Sequence, residues 1–160
     1  MLKKLACAAL LAAALPCVAM AAKPVNSEKM VNDYDRFYVV YVDDDERIYA
    51  DNDTIARDPV SAGMLPVIRC TLYAEVYKDP LTYPDYGNKQ MVDHILQLDC
   101  AVGADQIGQD IKYKILNKVV GAYSPDGKPL PAYNGNHKDT ADEAEEIYMS
   151  LYRVSQNIGW

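Results

Sequence analysis

Two stretches with a cysteine near one end decide the fold: RCTLYAEVY at residues 69–77 and HILQLDC at residues 94–100. In both, apolar and polar side chains alternate, which is the pattern of a β-strand with one buried face. The segment between them includes KDPLTYPDYGNK, which is rich in proline, glycine and aspartate and predicts a turn centred at residue 85. The sequence therefore predicts an antiparallel hairpin.

The register of this hairpin follows from polarity once Cys70 is set opposite Cys100. One face then pairs Ile68 with Val102, Leu72 with Leu98, and Ala74 with Leu96. The other face pairs Thr71 with Asp99, Tyr73 with Gln97, and Glu75 with Ile95. The first face is apolar and the second is mostly polar. Because a slip of one residue would mix the two faces, the pattern selects this register.

Cys70 and Cys100 are expected to form a structural disulfide. Facing residues at a non-hydrogen-bonded site lie about 4.5 Å apart at Cα, within disulfide range. The bond would contribute about 3–4 kcal/mol in the chain-entropy model, and less where the hairpin already restrains the strands. The competing interpretations are a metal site and a redox centre. Only His94 and His137 could join carboxylates as ligands, and no C-x-x-C motif is present, so we predict neither a metal nor a cofactor.

Residues 1–21 are expected to be a secretory signal peptide. A basic start precedes an Ala/Leu-rich run, and Ala19-Met20-Ala21 is a small-x-small cleavage site. The apolar run 5–15 is too short to span a bilayer, so no transmembrane segment is predicted. Neither Cys7 nor Cys17 lies in a lipobox. The protein is therefore expected to be exported to the periplasm, the cell surface or the extracellular medium, where disulfides form.

The charge balance bears on the class of partner. The formal net charge is −7, and loss of the lysines in the leader makes it more negative. Such a chain repels nucleic acid and anionic lipid, so neither is predicted as a partner. Thirteen tyrosines stand against one phenylalanine and one tryptophan. Tyrosine suits small sheets and protein contact surfaces because its ring can be buried while its hydroxyl stays hydrated.

The remaining segments predict further strands and one helix. Residues 22–35 are expected to be a polar N-terminal arm, and residues 36–160 a single domain. Strands are predicted at 37–42, 47–51 and 111–123, the last pairing with the cysteine hairpin so that Leu98 faces Tyr113, Leu96 faces Ile115 and Asp99 faces Lys112.

Residues 139–158 predict a helix that opens with a capping box of Thr140 and Glu143. Its apolar stripe consists of Ala144, Ile147, Tyr148, Leu151 and Ile158. The cysteine-bearing face of the sheet is the surface on which this stripe can dock. The predicted fold class is α+β: a single-domain antiparallel β-sheet, built as a meander, with a C-terminal α-helix packed on one face.

The sequence does not predict an enzyme. It has no nucleophile elbow, no glycine-rich phosphate loop and no H-E-x-x-H motif. The acidic run 43–46 lacks the spacing of a calcium loop and is interpreted as a hairpin turn. His94 is interpreted as a histidine at the rim of the sheet rather than a catalytic base.

A stripe of lysines is the candidate partner-binding site. Lys112, Lys114 and Lys118 alternate along one predicted strand, and Tyr73 is the aromatic anchor expected on the same uncovered face. The competing interpretation is that these lysines only pair across the strands with Asp99 and its neighbours.

The succession YVDDDERIYADNDTI, IRCTLYAEVY, LQLDC, AYSPDGKPL and EAEEIYMSLYRV, over residues 36–154, resembles the surface-adhesin protein E-like family of small exported bacterial proteins. The residues that match the family pattern are Tyr49, Asp51, Thr54, Ile55, Asp99, Cys100, Gly127 and Tyr148. The resemblance implies a curved antiparallel sheet with a C-terminal helix on its concave side. For named members it also implies adhesion to extracellular-matrix or plasma proteins of a host.

Two departures from the family pattern weaken the expectation of adhesion. The family usually ties its helix to the sheet through a cysteine near the C-terminus, and here no cysteine follows Cys100. Cys70 would have to be a substitute partner, which leaves the helix held by packing alone. The lipid anchor that holds some members at the cell surface is not predicted either.

Two functions are therefore expected from different classes. The first is a non-enzymatic, adhesin-like module that contacts a protein partner through the open sheet face. The alternative is a periplasmic accessory protein or small-ligand-binding module. The sequence predicts neither the identity of the partner nor the oligomeric state.

Overall fold

The protein, described here from a computed structural model, is built on one antiparallel sheet with a helix on each face. The structure describes residues 25–59, 64–79, 90–137 and 141–157. Its elements are α1 (Ser27–Asn32), β1 (Phe37–Val42), β2 (Glu46–Asp51), a 3-10 turn (Asn52–Thr54), β3 (Ala56–Arg57), β4 (Ile68–Tyr77), β5 (Val92–Ile107), β6 (Asp110–Tyr123) and α2 (Ala141–Asn157). The strand order is β1-β2-β4-β5-β6, and β3 also pairs with β4.

The predicted α+β class, an antiparallel sheet with a C-terminal helix packed on it, is confirmed. The predicted signal peptide, Thr140 of the predicted capping box, Ile158 and the turn at residue 85 lie outside the described residues.

The register predicted for the cysteine hairpin is confirmed. Cys70 pairs with Cys100 in the β4–β5 ladder. The flanking pairs are also as predicted: Ile68 with Val102, Leu72 with Leu98, Ala74 with Leu96, Thr71 with Asp99, Tyr73 with Gln97, and Glu75 with Ile95. Polarity was a sufficient guide here because one face is buried and apolar along its whole length.

The register predicted between β5 and β6 is wrong. Leu98 pairs with Val119 rather than Tyr113, and Asp99 pairs with Lys118 rather than Lys112. The reason is that β5 continues to Ile107 and turns at Gly108, whose φ of 67° suits glycine. From Leu98 onward the error is six residues, an even number, so these side chains keep their predicted faces and alternation does not exclude the wrong register. An irregularity between Gln97 and Leu98 makes the error odd before that point, where Leu96 pairs with Ala122 rather than Ile115.

The main core lies between α2 and the cysteine-bearing face. The helix contributes Ile147, Tyr148 and Leu151, all buried, to a cluster that includes both cysteines. The sheet contributes Ile48, Ala50, Ile68, Leu72, Ala74, Leu96, Leu98 and Val102. The Tyr148 hydroxyl donates a hydrogen bond to the carbonyl oxygen of Pro66 at 3.1 Å. The predicted docking of the apolar stripe on this face is confirmed over the described part of α2.

The second face of the sheet is covered at one end by α1. Asn26 caps this helix by accepting a hydrogen bond from the Lys29 amide at 2.8 Å, and Met30 is fully buried. A second core cluster forms beneath it from Val25, Met30, Phe37, Tyr49, Tyr73, Val92 and Ile95. The expectation of a polar arm over residues 22–35 is therefore wrong for residues 25–32. Its polar composition concealed Val25 and Met30, two apolar side chains that pack on the sheet.

The turn at residues 124–127 holds α1 in place. The Ser27 amide donates to the Pro125 carbonyl oxygen at 3.1 Å. Gly127 has a φ of 84°, and a Cβ added there would lie 2.7 Å from the carbonyl oxygen of Val25. This glycine is needed both for its backbone conformation and for the close approach of the two segments.

We expect Gly127→Ala to lower the free energy of unfolding by about 1–3 kcal/mol, because a side chain there is strained and also collides with backbone. The measurement is urea denaturation. Gly108→Ala is the matched control, since Gly108 has a similar φ but open space around its Cβ position. Equal losses in the two variants would show that the contact with Val25 contributes nothing.

Candidate functional site

The open half of the second face carries the lysine stripe (Lys112, Lys114 and Lys118). All three are exposed and point to the same side of β6 as Leu116. Lys114 forms an ion pair with Asp105, and Lys118 lies opposite Asp99 in the ladder. The predicted cross-strand pairing is therefore present, and the stripe also remains accessible to a partner.

Tyr73 does not belong to this surface. Only 2% of it is exposed, and its ring packs edge-on against Phe37 with centroids 5.8 Å apart. Burial, together with the nearby Asp51 carboxylate, raises the pKa of Tyr73 to about 12. The prediction of Tyr73 as a contact anchor is wrong because α1 covers this end of the face.

Apolar surface accompanies the lysine stripe. Leu116 is 75% exposed at the centre of β6. Beside it is a shallow cavity of about 210 Å³, lined by Arg69, Asp99, Cys100, Ala101, Leu116, Asn117 and Lys118. Arg69 is held by an ion pair with Asp58 at 3.0 Å. An exposed leucine flanked by fixed charges of both signs is the composition of a small contact surface rather than of a catalytic cleft.

The outer edge of β6 is the longest strand edge in the described structure. β6 is the last strand of the sheet, and its other neighbour is β5. A segment of the following loop reaches the edge near its end, where the Leu130 amide donates to the Ala122 carbonyl oxygen at 2.8 Å. Two grooves of about 310 and 560 Å³ follow this edge, lined by residues 119–123 and 129–133 and by residues 117–119 and 133–137. A strand edge of this kind can accept hydrogen bonds from, and donate them to, an added strand.

Cys70 and Cys100 face each other on the covered side of the sheet. Both are buried, at 5% and 1% exposure. Their facing position is confirmed, whereas the disulfide stays a prediction.

A buried charged network lies beneath α1. Arg47 and Glu75 are cross-strand neighbours, and the Tyr49 hydroxyl bridges them, donating to Glu75 Oε2 at 3.3 Å and accepting from Arg47 Nη1 at 3.3 Å. Burial raises the pKa of Glu75, although the hydroxyls of Ser27 and Tyr49 and the charge of Arg47 oppose this. The carboxylate is therefore held at a cost that its partners only partly offset.

A second, largely buried cluster joins three distant segments of the chain. Glu46 begins β2, His137 lies in the loop before α2, and Glu143 is in the first turn of α2. His137 Nε2 lies 3.0 and 2.9 Å from the two carboxylate oxygens of Glu46, and His137 Nδ1 lies 4.0 Å from Glu143 Oε1. The side chains are only 13%, 5% and 2% exposed, in the order Glu46, His137, Glu143. Among the described residues this is the one group of three or more potential metal ligands.

The surroundings of this cluster are acidic. Tyr41 donates a hydrogen bond to Asp43 at 3.1 Å. Burial raises the pKa of Tyr41, and the hydrogen bond and the negative charges of Asp43, Glu143 and Glu146 raise it further. The acidic run 43–46 does form the predicted hairpin turn, in which Asp43 Oδ1 accepts from the amides of residues 45 and 46. The side chain of Glu46, the last residue of this run, points to the interior instead.

His94 occupies the rim position expected of it. It pairs with Val76 in the ladder, its Nδ1 lies 2.8 Å from Asp93 Oδ2, and its ring packs on Tyr133 with centroids 5.0 Å apart. No second carboxylate joins it among the residues described.

Sequence reasoning missed the histidine–glutamate cluster because its members are far apart in the chain. Two signals were present. Glu46 has the same parity as Ile48 and Ala50, so it occupies a position on the buried face of β2. Glu143 precedes Ile147 and Leu151 at four-residue spacing and therefore lies on the buried stripe of α2.

Comparisons with known proteins add no relatives to this description. No protein-family model, curated protein or solved structure matches the chain. The resemblance to the surface-adhesin protein E-like family thus stays a prediction. Within the described residues, no helix combines the length and apolarity that a membrane crossing requires.

We expect Cys70 and Cys100 to be oxidised in protein isolated from an oxidising compartment. Intact-mass spectrometry should find the mass lower by two hydrogen atoms than after reduction, and reduction should lower the free energy of unfolding by up to about 3–4 kcal/mol. The double variant Cys70→Ala, Cys100→Ala serves as the control and should not respond to reductant. Two alkylatable thiols in the unfolded, unreduced protein would contradict the prediction.

We expect the stability difference between wild type and Glu75→Gln to fall as pH rises. Burial raises the pKa of Glu75 above its ordinary value of 4.5, so the folded state binds this proton more tightly than the unfolded state. The stabilisation that the protonated Glu75 side chain provides is complete below its pKa in the unfolded state. It is lost as pH rises through its pKa in the folded state.

The measurement is the free energy of unfolding from about pH 4 to about pH 7. Glu145→Gln, at an exposed position of α2, is the control and should show no such trend. A wild-type advantage that grows with pH would mean that Arg47 stabilises the carboxylate by more than burial costs it.

Proposed function

We propose that the protein is an exported, non-enzymatic binding module that recognises an extended segment of a protein partner through β6. The proposal rests on one observation: β6 has both an accessible edge and the exposed lysine stripe. Addition of a strand supplies affinity through the backbone, and the alternating side chains supply specificity. This role agrees with the adhesion that the family resemblance implies.

The charges of β6 favour an acidic partner segment. The three lysines stand on the outermost strand, whereas the opposing carboxylates, Asp99 and Asp105, lie one strand further in. A strand added to the edge would therefore meet the lysines first. Leu116, between Lys114 and Lys118, favours a partner in which acidic and apolar side chains alternate on the contacting face.

The same charges disfavour a second copy of the chain as the occupant. An antiparallel copy centred on Leu116 would place Lys114 opposite Lys118 of that copy, and like charges directly opposite each other destabilise a pair of strands. Lysines on an exposed edge are a common protection against such self-association. The edge is thus better suited to a different protein than to its own copy.

One observation favours the second candidate function, a periplasmic small-ligand-binding module. An apolar cavity of about 220 Å³ lies beside α1 and is lined by Met30, Val31, Tyr34, Phe37, Val39, Arg47 and Tyr49. A cavity with one guanidinium among apolar side chains suits a small apolar ligand with an acidic group. It lies on the covered half of the second face, so the two candidate sites can be tested separately.

We expect the triple variant Lys112→Glu, Lys114→Glu, Lys118→Glu to bind immobilised matrix or plasma proteins about tenfold more weakly than the wild type. The same loss is expected with a synthetic peptide in which every second residue is, in turn, glutamate and valine, so that both lie on one face of the added strand. The measurement is surface plasmon resonance at two salt concentrations, since screening should weaken the wild type and not the variant.

A matched triple variant at Lys29, Lys78 and Lys128, which changes the net charge equally, is the control and should bind like the wild type. Equal losses in both triple variants would point to net charge alone. Undiminished binding in the β6 variant would remove the lysine stripe from the site and favour the cavity beside α1.

A further inference from the structure

Three ligand-type side chains meet at the edge of the main core, and no other ligand group of this kind occurs in the described part of the chain. They come from β2, from the loop before α2 and from α2 itself, and each is at least four-fifths buried. One imidazole and two carboxylates are the nitrogen and oxygen ligands that first-row divalent cations accept. We propose that Glu46, His137 and Glu143 bind a divalent transition-metal ion of the Zn²⁺ type.

The distances among the ligand atoms suit such an ion. One ligand atom from each residue can be chosen so that all lie within 4.8 Å of one another. Ligands at about 2.0–2.1 Å from a tetrahedral ion are separated by about 3.4 Å. His137 can bind one ion through only one of its ring nitrogens. Glu46 Oε2 lies 2.9 Å from Nε2, whereas Glu143 Oε1 lies 4.0 Å from Nδ1, so the imidazole or one of the carboxylates would turn when an ion binds.

The charges of the site point the same way. The carboxylates of Glu46 and Glu143, with side chains 13% and 2% exposed, flank the imidazole of His137. Asp43 and Glu146 add to the negative field in this region, as the environment of Tyr41 shows. Buried charges are normally compensated by partners or by a metal, and a divalent cation would neutralise both carboxylates. The metal would replace the contact between His137 Nε2 and the Glu46 carboxylate.

The mixed ligand set selects among metals. Ca²⁺ and Mg²⁺ prefer oxygen ligands and a larger or more hydrated shell, whereas imidazole with carboxylate suits Zn²⁺ and its neighbours. Three protein ligands would leave one position of a tetrahedral ion for water.

Metal binding would have a local structural effect. The ion would tie α2 and the loop before it to the start of β2. His137 also lines the groove of about 560 Å³ beside β6, so the ion would fix one wall of that groove. The metal site does not depend on the proposed protein-binding role, because its ligands lie on the other face of the sheet from the lysine stripe.

The test uses the whole protein after treatment with a chelator. Isothermal titration calorimetry with ZnCl₂ should show one ion bound per chain, and Co²⁺ should give the visible absorption of a tetrahedral site with oxygen and nitrogen ligands. His137→Ala should weaken binding at least tenfold, as should Glu143→Gln, which keeps the shape of the side chain and guards against misfolding of the histidine variant. Zn²⁺ should raise the Tm of the wild type and leave that of both variants unchanged.

His94→Ala is the matched control, since His94 also contacts a carboxylate but lies outside the cluster, and this variant should bind Zn²⁺ like the wild type. Absence of stoichiometric binding would overturn the proposal and leave the cluster as a hydrogen-bonded clasp. Binding that survives in both His137→Ala and Glu143→Gln would also overturn it. A thiolate-to-Co²⁺ charge-transfer band would do the same by moving the ion to Cys70 and Cys100.

Discussion

The pairing of β4 with β5 is the constraint on which the other parts of the structure depend. These strands lie inside the sheet, and their register sets which side chains face α2 and which face α1. Because Cys70, Leu72 and Ala74 lie opposite Cys100, Leu98 and Leu96, one face is apolar over several consecutive rows. That continuous surface is what α2 requires for docking, and a slip of one residue would remove it. A covalent link between the cysteines would act at the same place, by preventing such a slip.

The unequal lengths of the elements explain why one face is only partly covered. β5 has 16 residues and spans about 50 Å, whereas α1 has six residues and is about 9 Å long. α1 can therefore protect only one end of the second face, where Phe37, Tyr49 and Tyr73 need burial. The far ends of β5 and β6 extend beyond it, and there the face carries lysines and aspartates instead of aromatic side chains. The location of the candidate binding surface is thus a consequence of element length and not of any single residue.

Most of the fold could be predicted from the sequence, but little of the candidate sites could. Alternation predicted the strands, the faces and the β4–β5 register because each is a local pattern with a period of two residues. It could not distinguish registers that differ by an even number of residues, and it gave no sign of the irregularity between Gln97 and Leu98. The predicted β5–β6 pairing was wrong for both reasons. The role of Tyr73 depended on α1, whose six residues contain only two apolar side chains, Met30 and Val31. His137 and Glu46 are separated by 91 positions, and no spacing rule connects residues so far apart.

Departures from the apolar pattern are informative because a buried carboxylate is costly unless something compensates it. Glu75 is buried and Glu46 is partly buried, and the two lie on opposite faces of the sheet. Glu75 has a cross-strand arginine and a tyrosine hydroxyl, so its negative charge is matched nearby by a positive one. Glu46 and Glu143 are differently placed, since two carboxylates have one imidazole between them and further acidic groups around them. The α2 end of the main core therefore joins two carboxylates and an imidazole, whereas the network beneath α1 pairs one carboxylate with a guanidinium. That difference, and not the number of acidic residues, is what singles out the His137 cluster as a place for an additional cation.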